Sequence, residues 1–155
     1  MQFSREMTGL AVIHAASGNE LGKVREWLLD EQGEVVIALL TEGGGWLPQR
    51  RVFPFRDILR IGHDAVMVAN EGQHANGDPP DLDGVATRRV LGKRMISPEG
   101  NELGMVDDIL FEEETGRVTG WRLSSGIIDD ILQGRPLLQE PLQLIIGEDT
   151  MIIRE

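Results

Sequence analysis

Apolar and polar residues alternate along much of the chain with a period near two, which is typical of β-strands. In "GKVREWLLD" (residues 22–30), Val24, Glu26 and Leu28 fall on one side of an extended chain and the residues between them fall on the other. A short polar loop, "EQG", and the apolar run "EVVIALL" follow. Two apolar runs joined by a short loop that ends in glycine predict a β-hairpin.

The same pattern occurs later in the chain, where "LGMVDDILFE" is followed by the loop "EETG" and by "RVTGWRL". A helix over residues 102–114 is an alternative interpretation, because this stretch contains no helix breaker. The turn signal Thr115-Gly116 and the β-branched residues Val118 and Thr119 favour strands instead. Both segments are therefore interpreted as hairpins.

An identical pentapeptide, Gly-Asn-Glu-Leu-Gly, opens both hairpins at residues 18–22 and 100–104. Residues 12–40 and 94–123 come into register when one residue is added to the second copy, so that Gly33 faces Gly116. Farther along, "IGHDAVMV" (61–68) is similar to "IGEDTMII" (146–153). Self-similarity at a fixed spacing predicts two copies of one structural unit.

The segment between the copies, residues 70–89, is rich in Gly, Asp and Pro and contains the pair Pro79-Pro80. Such a composition cannot continue a helix or an inner strand. We therefore expect a first domain at 1–70, a linker at 71–88 and a second domain at 89–155.

The repeated glycines have predicted structural roles. Gly18 and Gly100 suit a turn with positive φ. Gly22 and Gly104 begin a strand, where glycine marks a bulge or a close backbone approach. Gly116 closes the second hairpin loop, and the pentapeptide is interpreted as a repeated turn rather than a repeated site.

Net charge changes the expected partners. The chain has 155 residues and a formal charge of −11, of which −8 belongs to residues 76–155 (8 Lys/Arg, 16 Asp/Glu). This charge opposes the phosphate neutralisation that drives nucleic-acid binding, so direct nucleic-acid binding is not expected. Solubility is the simpler explanation of the acidity, and a basic partner surface is the alternative.

The chain contains no cysteine, which excludes disulfides and thiolate metal sites. No apolar run approaches the roughly 20 residues of a membrane helix, and "MQFSREMTG" does not resemble a signal peptide. A cytoplasmic location is the default expectation.

Residues with catalytic potential form no recognisable constellation. His14, His63 and His74 lie on three different segments without zinc-like spacing, and the acidic residues at 107–114 lack the pattern of an EF-hand. No nucleophile elbow surrounds a serine, and "EGGGW" lacks the P-loop lysine. We expect no catalytic residue, no metal site and no cofactor, and hence a protein that is not an enzyme.

The two copies diverge after their hairpins, and the candidate interaction surface lies there. The first copy offers Trp46, Arg50, Arg51 and Phe53, residue types that are enriched at binding hot spots. The alternative is that Phe53 and Phe55 point into a barrel while Trp46 covers its mouth.

The second copy has "SSGIIDDILQG" at the corresponding place, which predicts a short helix near residues 125–134. Ile127, Ile128 and Ile131 would share one face of this helix. That face could plug its own barrel, pack against the first copy or contact another protein.

The second copy resembles the PRC-barrel family, named after the H subunit of the photosynthetic reaction centre and found also in a ribosome maturation factor. The resemblance covers residues 8–70 and 88–155. It rests most specifically on Ser97, Gly100, Leu103, Gly104, Val106, Asp108, Thr115, Gly116 and Val118. The first copy departs from the pattern, since Glu26 stands where the second has Asp108. The resemblance implies an all-β chain with two small PRC-type barrels in tandem.

The resemblance also implies what such a chain does. The leading hypothesis is a non-enzymatic protein–protein interaction or assembly module. The alternatives are an accessory factor in ribosome or RNA maturation and a ligand-binding protein associated with electron transfer. Two homologous barrels in one chain are expected to pack on each other as a pseudo-dimer.

Overall fold

The computed structural model describes residues 2–43, 49–74, 84–124, 137–139 and 143–154. Its elements, in chain order, are β1 (Gln2–Phe3), α1 (Ser4–Met7), β2 (Ala11–His14), β3 (Glu20–Leu29), β4 (Val36–Glu42), β5 (Arg51–Pro54), a 3₁₀ turn (Phe55–Asp57), β6 (Ile58–Ile61), β7 (Ala65–Val68), β8 (Gln73–His74), β9 (Val85–Ala86), α2 (Thr87–Val90), β10 (Arg94–Ile96), β11 (Glu102–Phe111), β12 (Val118–Ser124), β13 (Leu137–Gln139), β14 (Gln143–Ile146) and β15 (Thr150–Arg154). Most described residues are in strands, which confirms the all-β prediction. The helix expected at 125–134 lies outside the described residues.

Two sheets have the same strand order. The first runs β6-β7-β2-β3-β4-β5-β8, and the second runs β14-β15-β10-β11-β12-β13. In each sheet a ten-residue strand pairs antiparallel with a seven-residue strand, and the strand before this hairpin pairs parallel with the last strand of its copy. The architecture is compatible with the two small barrel-like domains expected from the sequence.

The hairpin register corrects one expectation. The pair Trp27↔Leu39 corresponds to Ile109↔Trp121, and Leu29↔Val36 corresponds to Phe111↔Val118, so the hairpins superpose at a constant spacing without an added residue. Gly33 and Gly116 both have positive φ but occupy different positions in loops of equal length. The extra residue is instead in the turn before the pentapeptide, and it belongs to the first copy, as the pairs Ile13↔Glu20 and Ile96↔Glu102 show.

The segments that precede the two copies are exchanged between the sheets. Strand β1 pairs with β11 of the second sheet, with Phe3 opposite Leu110, and β9 pairs with β3 of the first, with Ala86 opposite Leu28. The short helices α1 and α2 follow these strands directly. The predicted linker at 71–88 therefore contains β8, β9 and the start of α2, and each sheet includes residues from beyond its own predicted domain.

The two hairpin loops meet at the centre of the molecule. An antiparallel bridge joins Val35 to Arg117. The Val36 N–H donates to the Gly116 carbonyl (2.7 Å) and the Val118 N–H donates to the Glu34 carbonyl (2.8 Å). The bridge joins equivalent positions of the two copies and the two hydrogen bonds are equivalent to each other, so the arrangement is locally two-fold symmetric.

One apolar core runs through both copies around this centre. Its buried members include residues of β3 and β4 from the first sheet and of β11 and β12 from the second. Trp27 contacts Phe111 edge to face, with ring centroids 5.1 Å apart. At Gly33 a Cβ would lie 3.1 Å from the Trp121 ring, so this loop packs closely on the second copy.

The five turn glycines named from the sequence all have positive φ: Gly18, Gly22, Gly100, Gly104 and Gly116. Gly22 and Gly104 also lie at register shifts in the pairing with β2 and β10. A Cβ at Gly22 would lie 2.5 Å from the Glu42 carbonyl oxygen, whereas nothing lies within 4 Å of one at Gly18. Positive φ at all five glycines, and register shifts at Gly22 and Gly104, are the geometry expected at turns and bulges.

Replacing Gly22 by alanine should destabilise the protein more than replacing Gly18. Both substitutions place a side chain at positive φ, at a cost of about 1–3 kcal/mol, but only Gly22→Ala adds a clash with backbone. Chemical denaturation of both variants measures the difference in the free energy of unfolding. Equal losses would contradict the close approach of β3 to β4.

Candidate functional site

The surface predicted in the first copy is mostly core. Phe53 is fully buried, and Arg51 is 8% exposed. The Arg51 Nη1 donates to the Glu71 carbonyl at 2.7 Å. Arg50 is exposed. For Arg51 and Phe53 the expectation of a docking surface is corrected, and the alternative that Phe53 packs inside holds; Trp46, Ile127, Ile128 and Ile131 lie outside the described residues.

The two copies differ at another surface, the outer face of the second sheet. Ile145 lies directly opposite Ile152, which in turn lies beside Ile96. Met105 lies opposite Arg94 on the same face. We refer to Ile96, Met105, Ile145 and Ile152 as the apolar row. Ile145 and Met105 are each 46% exposed and Ile152 is 38% exposed.

The residues between members of the apolar row point inward, as strand alternation requires. Met95, Leu144 and Met151 are buried in the core. Single exposed apolar residues are common on proteins, but neighbouring ones on adjacent strands form a patch that usually has a role.

The first copy does not have this patch. Strand pairing makes Arg60 equivalent to Ile145 and Lys23 equivalent to Met105, and both are exposed. Ile13 and Met67 occupy the other two positions. The same fold therefore accepts charged side chains at two of these four positions, and folding does not require the apolar row.

The exchanged helix α1 is anchored on β11 by Asp108, which is fully buried. Its Oδ1 accepts hydrogen bonds from Ser4 Oγ (2.5 Å) and from the Ile109 N–H (2.7 Å). The Arg5 N–H (3.3 Å) and Arg122 Nη2 (3.3 Å) also donate to this carboxylate. Charged donors and backbone amides surround the buried carboxylate, so its hydrogen-bonding capacity is satisfied. We refer to this contact of α1 with β11 as the closed junction.

Arg122 extends the closed junction. Its Nε donates to Asp107 Oδ2 at 3.0 Å, and its guanidinium lies 4.5 Å from the centre of the Phe3 ring. Arg5 Nε donates to the Asp107 carbonyl at 2.8 Å. The charges of two carboxylates and two guanidinium groups therefore cancel where α1 contacts β11.

We refer to the equivalent contact of α2 with β3 as the open junction. Arg88 Nη1 donates to Glu26 Oε1 at 2.5 Å, and Arg25 Nε lies 3.9 Å from Glu26 Oε2. The Trp27 N–H is accepted by Thr87 Oγ1 (3.3 Å), the role that Asp108 has for Ile109. Leu40 takes the place of Arg122.

A cleft of about 120 Å³ lies at the open junction and is lined by residues of both exchanged helices. Its charged lining residues are Arg5, Arg25, Glu26 and Arg88. The sequence carried a signal for it that was missed: "SREMTG" (4–9) and "TRRVLG" (87–92) share a hydroxyl residue, an arginine and a glycine at matching positions.

The remaining candidates do not assemble a metal site. The described parts of the chain contain no group of three or more His, Asp or Glu side chains placed to hold a metal ion. His14 Nδ1 lies 3.0 Å from Ser17 Oγ, and His63 contacts only the adjacent Asp64 in the contacts described. Within the same residues, no helix has the length and apolarity needed to span a membrane.

Comparison with known proteins gives a family match over the first copy. Residues 1–74 match the family profile of the PRC-barrel domain, a small β-barrel module. No curated protein matches the chain. The matched range contains the whole first copy together with the exchanged segment β1–α1.

Removing the buried carboxylate of the closed junction should be costly. We expect Asp108→Ala to lower the free energy of unfolding by about 3–5 kcal/mol, because it leaves Arg122 and the Ser4 hydroxyl without their buried partner. The matched control is Glu102→Ala, which breaks an exposed 3.7 Å pair with Arg94 and should cost less than about 1 kcal/mol. Similar losses in urea denaturation would show that Asp108 is not the anchor.

Proposed function

We propose that this chain is a non-enzymatic protein–protein interaction module formed by two PRC-barrel domains that pack as an internal pseudo-dimer. The family match of residues 1–74 supports the first domain. The repeated strand order and the equal lengths of the paired hairpin strands support the second. PRC-barrel domains are generally interaction modules.

The contacts between the copies support the pseudo-dimer. The bridge Val35↔Arg117 and its two flanking hydrogen bonds are symmetric, and the exchanged strands β1 and β9 are symmetric as well. Closed two-fold pairs bring the same surface of each partner together, and this chain brings equivalent hairpin loops together. A tandem chain of this kind contains its own two-fold partner.

The apolar row is the observation that carries the interaction proposal. Two of its exposed members, Ile145 and Ile152, lie on adjacent strands, and Met105 lies beyond Arg94 on the same face. Two of its positions are charged in the first copy. An apolar strip is stabilised when a partner removes it from water, at roughly 25 cal/mol per Å² of apolar area. The row therefore offers a docking surface that the fold alone does not explain.

The partner is a different protein with an apolar strip and a basic rim. Two copies of this chain would each carry a charge of −11 and would repel one another. The half of the chain that bears the row carries −8 of this charge, which complements a basic partner. Self-association through the row is thus disfavoured.

The variant Ile145→Arg tests the row. It introduces the residue type found at the equivalent position of the first copy, so the fold should tolerate it. We expect quantitative affinity capture from the source cell to recover a basic partner with the wild type, and the purified partner to bind the variant at least tenfold more weakly in calorimetry.

The matched control is Leu59→Arg, which replaces an exposed leucine (59%) on the first sheet, away from the row. This variant should bind the partner as the wild type does. If both variants bind equally well, the apolar row is not the docking surface. If both bind equally weakly, the effect is one of charge rather than of the row.

Light scattering on the purified chain tests the internal pseudo-dimer. We expect the mass of one chain at all concentrations at physiological salt, because the hairpin loops and the exchanged strands already contact their counterparts within the chain. A stable dimer whose assembly is abolished by Ile145→Arg would show instead that the row pairs two copies.

A further inference from the structure

The open junction concentrates positive charge in an acidic protein. Three arginines, Arg5, Arg25 and Arg88, line its cleft, and Glu26 is the single acidic residue among the described lining residues. Because Arg5 also pairs with Asp107, the lining has a surplus of one positive charge, whereas the chain as a whole carries −11. The side chains of Arg5 and Arg88 are 56% and 41% exposed, and that of Arg25 is 23% exposed.

The three arginines reach the cleft from three different elements. Arg5 belongs to α1, Arg25 to β3 and Arg88 to α2. Each guanidinium has five N–H donors in a planar fork. Donors that converge from three elements suit a tetrahedral oxyanion, which has acceptor oxygens in several directions, better than a planar carboxylate.

Two further donors belong to residues that line the cleft. The Thr87 hydroxyl accepts the Trp27 N–H, which leaves its own hydrogen to be donated. The indole Nε1–H of Trp27 is a buried donor for which the described residues provide no acceptor. The Trp27 ring packs against Phe111 in the core, so its indole N–H serves as a reporter beside the cleft.

The closed junction provides an internal comparison. There, Asp107 and Asp108 balance Arg5 and Arg122, and the carboxylate of Asp108 is fully enclosed. In the open junction Arg25 replaces Asp107 and Leu40 replaces Arg122. These two differences convert a neutral, filled contact into a positively charged cleft.

We propose that the cleft at the open junction binds a phosphate group. Its volume of about 120 Å³ corresponds to roughly four water molecules, which is enough for one phosphate group. A larger phosphorylated compound would insert its phosphate and leave the remainder outside. The negative charge of a phosphate, about −2 at neutral pH, complements the positive lining. This inference is independent of the docking surface on the second sheet.

The experiment is a titration of the full ¹⁵N-labelled chain with sodium phosphate, followed by NMR against sodium chloride at equal ionic strength. The indole N–H signal of Trp27, assigned with Trp27→Phe, is the reporter. We expect a saturable shift with phosphate and none with chloride. Absence of a saturable shift at millimolar phosphate overturns the proposal.

Three variants separate binding from general charge effects. Arg25→Gln should weaken phosphate binding at least tenfold, whereas Arg94→Gln, which removes an exposed arginine on the outer face of the second sheet, should leave it unchanged. Glu26→Gln keeps an acceptor for Arg88 but removes the negative charge, so binding should become tighter. Equal affinities of wild type and Arg25→Gln, or weaker binding by Glu26→Gln, would overturn the proposal.

Three ligands identify the source of the phosphate. Methyl phosphate that binds more tightly than inorganic phosphate indicates a phosphate ester as the ligand, and the reverse order indicates free phosphate. Glutarate tests the alternative oxyanion. If this dicarboxylate binds as tightly as either phosphate, the site is one for carboxylates and the proposal is wrong.

Discussion

The backbone pairing of the two hairpin loops at Val35 and Arg117 joins the two copies directly, together with the exchanged strands β1 and β9. Strands of two residues, such as β1 and β9, cannot persist alone, and each exists only against the long strand of the other copy. With the loops joined, β1 reaches β11 and β9 reaches β3. Neither sheet is therefore complete without residues from the other half of the chain.

The exchange explains why the two copies need buried charge. Each short helix meets the long strand of the other copy at an acidic residue, Asp108 for α1 and Glu26 for α2. A buried carboxylate is tolerated only when donors surround it, and Asp108 has a hydroxyl, backbone amides and Arg122. In the contacts described, Glu26 interacts only with guanidinium groups, and a cleft open to solvent remains at its junction.

Local features of this fold could be read from the sequence, whereas pairing partners could not. Period-two alternation predicted both hairpins, and the repeated pentapeptide predicted the positive-φ glycines. Aligning Gly33 with Gly116 misplaced the register by one residue, because loops of equal length place their glycines differently. The exchange of β1 and β9 was not predicted, since two-residue strands are too short to show a period.

The error at Arg51 and Phe53 has a related cause. Arginine and aromatic residues are frequent at interfaces, but composition does not tell which face of a strand is covered. Strand β5 is buried on both faces, because a small second cluster that includes Leu28, Val52 and Ala86 covers the other side of the first sheet. β9 contributes Ala86 to that cluster from the second half of the chain.

Differences between equivalent positions locate function better than composition does in a duplicated fold. Arg60 of the first copy is equivalent to Ile145 of the second, and Arg25 is equivalent to Asp107. The same strand order therefore accepts either residue of each pair. Folding therefore does not dictate the choice at these positions. The glycines at 22 and 104 are identical because the backbone there admits nothing larger. The shared fold does not dictate the residues of the apolar row on one sheet or of the charged cleft at one junction. Selection for binding can therefore act at these two places.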